Sequence, residues 1–246
     1  MSKYTGFSPV WLLALALVIP QAPALADGDL NPPTSAFDSN NMPVATMKSL
    51  NEIEPRTLIS QLPFDISQPG SYYVSPSLGA PMTPVPGTNG ITISSSNVRL
   101  DLNGFVLMGA TNALDGIHVT ANPPCFDVVI RNGIIAGWGG LGINANTAPE
   151  ITISEVKVVQ NTMGGIYAGD NAHIANCSVY GNGLGTAAPW DDGINAGPYS
   201  TISDCKARGN RGANIHGQAH SRIVGCTATA SANANGIFAE DFSTIR

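Results

Sequence analysis

At 246 residues the chain is long enough for one domain with a sizeable core. Only 11% of it is charged and 27 residues are glycine, which does not suit a soluble helical protein, where roughly a quarter of residues are charged; it suits many short strands joined by tight corners. With 17 Asp and Glu against 11 Lys and Arg, net charge argues against nucleic acid or an anionic membrane as partner, and leaves a neutral ligand or an acidic one bridged by a metal.

Lys3, the apolar run 11–19, Pro20 and the Ala24-Leu25-Ala26 site before Asp27 have the form of a signal peptide over residues 1–26. The run is too short to span a bilayer, and no later run is longer. A secreted or periplasmic protein is therefore expected. Cleavage removes Lys3 and no acid, so 10 basic and 17 acidic side chains remain, net −7. The four cysteines then meet an oxidising compartment, where disulfides are allowed. Residues 27–45, rich in Asn and Pro, are expected to be a flexible leader. Residues 46–88 are read as an N-terminal cap, with a short helix near 47–53 and lead-in strands at Phe64-Asp65-Ile66 and Tyr72-Tyr73-Val74. A stacked solenoid needs such a cap to cover its end strands.

From residue 89 the chain repeats. Asn89-Gly90-Ile91, Asp115-Gly116-Ile117, Leu141-Gly142-Ile143, Gly164-Gly165-Ile166, Asp192-Gly193-Ile194, Ala213-Asn214-Ile215 and Asn235-Gly236-Ile237 align, at spacings of 26, 26, 23, 28, 21 and 22 residues. A unit of this size without helical periodicity marks a solenoid. Five units also carry an isoleucine followed three and five residues later by small or apolar residues, as in Ile153-x-x-Val156-x-Val158 and Ile174-x-x-Cys177-x-Val179, while the first unit (Leu100, Leu102, Gly104) is one residue out of step. Inward positions alternate along a strand, so an i, i+3 inward pair requires a corner. The residue at that corner is Asn132, Glu155, Asn176, Asp204 or Gly225, with Asn103 equivalent in the first unit. These types favour left-handed turns, and stacked asparagines there are expected to bond from coil to coil. Each unit thus supplies three short strands.

These Gly-Ile repeats, Asn-Gly corners and three-stranded coils resemble the pectin-lyase-like family of right-handed parallel β-helix proteins. The stretch Asn97-Val98-Arg99-Leu100-Asp101-Leu102-Asn103-Gly104-Phe105 is similar to the opening coil of its uncharacterised exported members. The resemblance covers residues 55–246. It implies an all-β, single-stranded right-handed parallel β-helix of about seven coils over residues 89–246. That family contains lyases, hydrolases, epimerases and proteins without catalysis.

The isoleucines after each glycine should stack inward, and their neighbours Thr92, His118, Asn144, Tyr167, Asn195, His216 and Phe238 should form an outward column about 29 Å long. Amides mixed with rings suit a sugar chain, whose edges carry hydroxyls and whose faces carry C–H. In the enzymes this chain resembles, substrate lies across this face. The candidate substrate-binding residues are therefore His118, Asn144, Tyr167, Asn195 and His216, flanked by Trp138 and Trp190 in the entering turns. As an outward neighbour, Tyr167 is expected to tolerate truncation at a cost under about 1 kcal/mol.

Asp191 and Asp192 are the candidate catalytic pair, able to bind Ca²⁺, hold a sugar, or act as acid and base. No other metal site is read from the sequence. The polygalacturonase branch of the family has paired aspartates about one coil before a Gly-His-Gly. Here Ala213 takes the place of that histidine, His216 lies three residues on, and no earlier Asn-Thr-Asp is found. Asp115 and Asp192 should be about 14 Å apart, beyond the roughly 5 to 9.5 Å of glycosidase pairs. Glu155 and Asp204 sit at corners and read as structural. A lyase would draw on Arg208 and Arg211 in the next entering turn.

Cys177, Cys205 and Cys226 share one inward position in consecutive coils, as a thiol column or with a disulfide between neighbours. Thr244-Ile245-Arg246 matches Arg222-Ile223-Val224, so the chain stops inside the second strand of its seventh coil. Truncation, or end-to-end self-association through that coil, are the two readings. Three functions remain open: a polysaccharide lyase or glycoside hydrolase, a polysaccharide-binding module, and a structural surface protein.

Overall fold

The computed structural model describes residues 56–75, 86–185, 191–231 and 234–246. The signal peptide, the leader, the short helix at 47–53 and Trp190 lie outside these residues.

Every strand pairing is parallel. One sheet of eight strands runs Phe64–Ile66, Ile91–Ile93, Ile117–Val119, Ile143–Ala145, Ile166–Ala168, Ile194–Ala196, Ile215–Gly217 and Ile237–Ala239. Its register joins Ile91, Ile117, Ile143, Ile166, Ile194, Ile215 and Ile237 in one column. The first six are fully buried. Ile237 has a coil on one side only and is partly buried. Phe64 pairs with Ile91 and Ile66 with Ile93, so the lead-in strands already follow the register of the repeat.

The second and third strands of each coil meet at the expected corner. In two coils they run on as single bent strands, Val128–Ala136 and Thr152–Val159. Asn132, Glu155, Asn176, Asp204 and Gly225 all have φ between 53° and 64°. In the first coil Asn103 and Gly104 are both left-handed, at 55° and 77°. This is a local insertion: Asp101 and Val106 pair with Arg131 and Ile134, five residues matched to three. The displaced Leu102 fills the interior, and a Cβ on Gly133 would lie 2.3 Å from its own Cβ.

Coil-to-coil asparagine bonding occurs at a different place from the one expected. At the corner only Asn132 takes part, donating to Asp101 at 3.1 Å. The ladder is at the turn after the third strand, where Asn161, Asn182 and Asn210 are buried. Asn161 Nδ2 donates to Asn182 Oδ1 at 2.9 Å, Asn182 to Asn210 at 3.0 Å, and Asn210 to Asn214 at 2.8 Å. The same oxygens accept backbone N–H groups, so the amides satisfy turn donors that would otherwise be orphaned inside the fold.

Cys177, Cys205 and Cys226 are free thiols stacked at the predicted inward position. Contact with Cys177, together with burial, pushes the Cys205 thiol up to about 12. The same contact with Cys205 lowers the Cys177 thiol, so it is the burial of both sulfurs that should make Cys177 and Cys205 resist a maleimide in the folded protein and react promptly in urea, as read by mass spectrometry. Native labelling at the unfolded rate would show that the column is open. The interior also makes a mutational prediction. Ile166→Asp places an uncompensated charge in the core and should abolish cooperative thermal unfolding, whereas the volume-conserving Ile166→Leu should cost less than about 1.5 kcal/mol.

Candidate functional site

Six of the seven entering turns are built as X-Gly-Ile-Y, with X at the turn and Y next to the isoleucine on the first strand; in the other, Ala213-Asn214-Ile215-His216, Asn214 takes the glycine's place. The glycine is required by close approach: a Cβ on Gly193 would lie 2.4 Å from Asn210 Nδ2 and 2.5 Å from the Asn214 carbonyl oxygen. Where X is Asp, one carboxylate oxygen serves the backbone. Asp115 Oδ1 accepts the Leu141 N–H at 2.8 Å, and Asp192 Oδ1 accepts the Ala213 N–H at 2.7 Å.

The other oxygen organises the outward face. Asp115 Oδ2 lies 3.0 Å from His118 Nδ1 and accepts Asn144 Nδ2 at 2.8 Å. Asp192 Oδ2 accepts Asn195 Nδ2 at 2.8 Å and lies 3.1 Å from His216 Nδ1. The chain therefore builds the same cluster twice: one carboxylate holding an imidazole and an amide drawn from two adjacent coils. The order is reversed, histidine then amide in the first and amide then histidine in the second. Three coils separate the two aspartates, about 14 Å at one strand spacing per coil. Four of the predicted face residues, His118, Asn144, Asn195 and His216, are thus brought together in pairs.

Two others are corrected. Tyr167 is 2% exposed, and its hydroxyl accepts the Asp192 N–H at 3.0 Å. Burial, with the Asp192 carboxylate nearby, pushes its phenol above the usual tyrosine range. It buttresses the turn that carries Asp192 and offers no ring to a ligand, so the expectation of a cheap truncation is also corrected: Tyr167→Ala removes a buried ring, a change that costs about 3 kcal/mol or more. Trp138 is 1% exposed and donates its indole N–H to the Leu107 carbonyl at 3.1 Å. Its ring occupies space left by Gly90, Gly109 and Gly116, where added Cβ atoms would lie 2.5, 2.4 and 3.0 Å from it. Trp138 is a core residue, with its ring closed off from any ligand.

Asp191 and Asp192 diverge in their partners. Asp191 Oδ2 faces Arg211 Nε at 3.7 Å, and Arg211 also donates to the Gly185 carbonyl. Their Oδ1 atoms nevertheless come together over Gly212. Each would lie 2.5 Å from a Cβ added there, so no more than 5 Å separates them. A recess of about 320 Å³ opens beside this pair, lined by Gly212, His216, Asn235 and Phe238. Phe238 is 40% exposed, and its ring centroid lies 4.8 Å from that of His216. Among the described residues, no group of three or more His, Cys, Asp or Glu side chains is arranged to hold a metal ion.

Glu240 and Gln218 join the site unpredicted. His216 Nε2 lies 3.2 Å from Glu240 Oε1, and Gln218 Nε2 donates to Asn195 Oδ1 at 3.2 Å. Both follow the outward residue by two, so strand alternation alone would have found them. A further unpredicted feature lies on the turn leaving the face. Asn97, Asp127, Glu150 and Asn171 hold left-handed positions there, and the next three coils place Tyr199, His220 and Phe242 at φ 61°. Those rings stack at 4.7 and 5.0 Å, a contact that offsets the strain of a bulky left-handed residue.

A hydrogen bond to the Asp192 carboxylate raises the pKa of His216 above its ordinary value, with Glu240 adding to the effect against partial burial. The protonated ring donates from both nitrogens and ties three coils together. A raised folded-state pKa gives stability that is fully present below the unfolded value of about 6.5 and is lost as pH rises through the folded value. The melting temperature of the wild type should therefore fall between pH 6 and pH 8 more than that of His216→Gln. Parallel curves for the two proteins would refute the ion-pair role.

A family model described as a right-handed β-helix region matches residues 85–246. Among solved structures, the Dettilon tailspike protein matches with a TM-score of 0.57 at 16% identity, over 77% of this chain. The chain spans 40% of the length of that protein, and the likeness is one of fold. No curated protein matches the chain by sequence.

Proposed function

The chain belongs to the right-handed β-helix family, and from that premise we propose that it is an exported protein which binds an extended polysaccharide across its first-strand face. The duplicated cluster carries this reading. Two equivalent groups of carboxylate, imidazole and amide stand in line about 14 Å apart, and repeated polar contacts along one axis suit a polymer of repeating units better than a compact molecule. His118 Nε2 makes no hydrogen bond among the described residues. At the far end, the Asp191–Asp192 recess and the exposed Phe238 ring supply acceptors for hydroxyls and a flat face for C–H groups. If the pair is catalytic, Asp191 and Asp192 are the acid and base; an acidic glycan would require Ca²⁺ between it and these carboxylates.

A second reading, a structural protein without ligand, is favoured by one observation: most polar groups on the face already bond each other. Calorimetric titration with soluble neutral and acidic polysaccharides, with and without Ca²⁺, separates the two. Binding should weaken about tenfold or more in Asp115→Asn/Asp192→Asn, since a buried hydrogen bond to a charged group contributes about 1.5–3 kcal/mol. Parallel assays for new reducing ends and for unsaturated ends test catalysis, with Asp191→Asn as the inactive control. Equal binding by the double variant places the site elsewhere, and absence of binding by wild type favours the structural reading.

A further inference from the structure

The acidic balance of the whole chain conceals one face where positive charge gathers. On the third-strand sheet Val158, Val179 and Ala207 point inward and are buried, so the residues beside them point out. Those residues include Lys157, Lys206 and Arg208, with Tyr180 among them. Lys157 Nζ lies 5.1 Å, and Arg208 Cζ 5.3 Å, from the Tyr180 ring centroid. Tyr180, Lys206 and Arg208 line a recess of about 290 Å³ together with Ser178, Thr227 and Thr229.

The charge is uncompensated. Four arginines elsewhere lean on acids: Arg56 and Arg131 on Asp101, Arg99 on Asp127, Arg211 on Asp191. Among the described residues no carboxylate lies within ion-pair distance of Lys157, Lys206 or Arg208. Both lysines of the described residues stand on this one face. The nearest acid in sequence to Lys206 is Asp204, and its carboxylate packs over Gly225 at the corner. Gathering three unpaired cations on one face, in a chain of net charge −6, raises the local potential against the sign of the molecule.

We propose that the third-strand face around Tyr180 is a second binding site, which takes sulfate or phosphate ester groups carried on an extended carbohydrate chain. A tetrahedral oxyanion accepts from several directions at once. Here a guanidinium fork, the Lys206 ammonium and three hydroxyls line one recess, with the Lys157 ammonium two coils from Lys206, and together they offer more donors than a planar carboxylate uses. Spacing argues for a sparsely charged polymer. Lys157 and Lys206 are two coils apart, about 10 Å, whereas phosphates follow one another every 3.4 Å along a strand of duplex DNA. The ring is already held by two cations, so it offers no open face for base stacking. This site is independent of the first-strand face and stands or falls separately from it.

The test uses a lightly substituted dextran sulfate as probe, its sulfates spread over several glucose units, with uncharged dextran, duplex DNA and phosphatidylglycerol vesicles as the other arms. Wild type should bind dextran sulfate and ignore dextran, with a slope of log affinity on log salt of about −2, as three cations imply at roughly 0.7 counterions each. Lys157→Gln/Lys206→Gln/Arg208→Gln should lose at least about tenfold in affinity with an unchanged melting temperature. Arg222→Gln, an exposed cation on the second-strand sheet, should bind as wild type does, and Lys157→Arg/Lys206→Arg should retain most of the affinity. Equal affinity in the triple variant, no binding of dextran sulfate by wild type, or tighter binding of DNA or vesicles would each overturn the proposal.

Discussion

Each coil of this protein lies one strand spacing above the last, so every side chain meets its own counterpart from the coils on either side. That constraint governs the interior. Isoleucine meets isoleucine along the first strand, and Cys177, Cys205 and Cys226 meet along the third. It also governs the turns, because a buried turn amide has only the next coil to bond with. Asn161, Asn182 and Asn210 answer that need with one oxygen each, and Ser200, Ser221 and Ser243 do so at the opposite turn, where each hydroxyl accepts a backbone N–H from the coil before it. A polar residue in these columns is therefore a structural part, and a functional residue must stand outside them.

Stacking also explains why a change in one coil demands a change in its neighbours. Trp138 occupies the ladder position in its coil, and its backbone N–H still bonds Asn161. The indole cannot fit among side chains, so three glycines from the preceding coils and their turns make room for it. Leu102 and Gly133 show the same exchange on a smaller scale. Glycine in this chain is thus often the complement of a large neighbour in the adjacent coil, and elsewhere a matter of backbone freedom, as at Gly225 in a corner and Gly137, Gly181 and Gly209 after the third strand.

The fold was legible because its signals are periodic. The Gly-Ile register, the i, i+3 inward pairs and the left-handed corner residues each recur, and one instance corrects another. The site was legible only in part. His118, Asn144, Asn195 and His216 were found by alternation along the strand, which reports the direction of a side chain and nothing of its length. Tyr167 follows the same alternation, yet it folds over Gly164, where an added Cβ would lie 2.5 Å from its ring, to reach the next turn. The pairing of aspartate with imidazole and amide was hidden for a similar reason: it joins residues three apart in one coil with a residue of the next, and only the stacked register shows that both spacings arrive at one carboxylate.

The two aspartate clusters differ from the ladders in one respect that bears on function. A ladder uses its polar atoms along the axis of the solenoid and closes on itself. Asp115 and Asp192 divide their two oxygens, one spent along the axis on a backbone N–H and one turned across the face. An asparagine at the turn would serve the backbone equally well, as Asn89 does for the Asp115 N–H. The second carboxylate oxygen, and the negative charge it brings, is therefore more than coil stacking requires. Charge that stacking does not need, placed at two equivalent points on one face, is the feature for which a ligand supplies the physical reason.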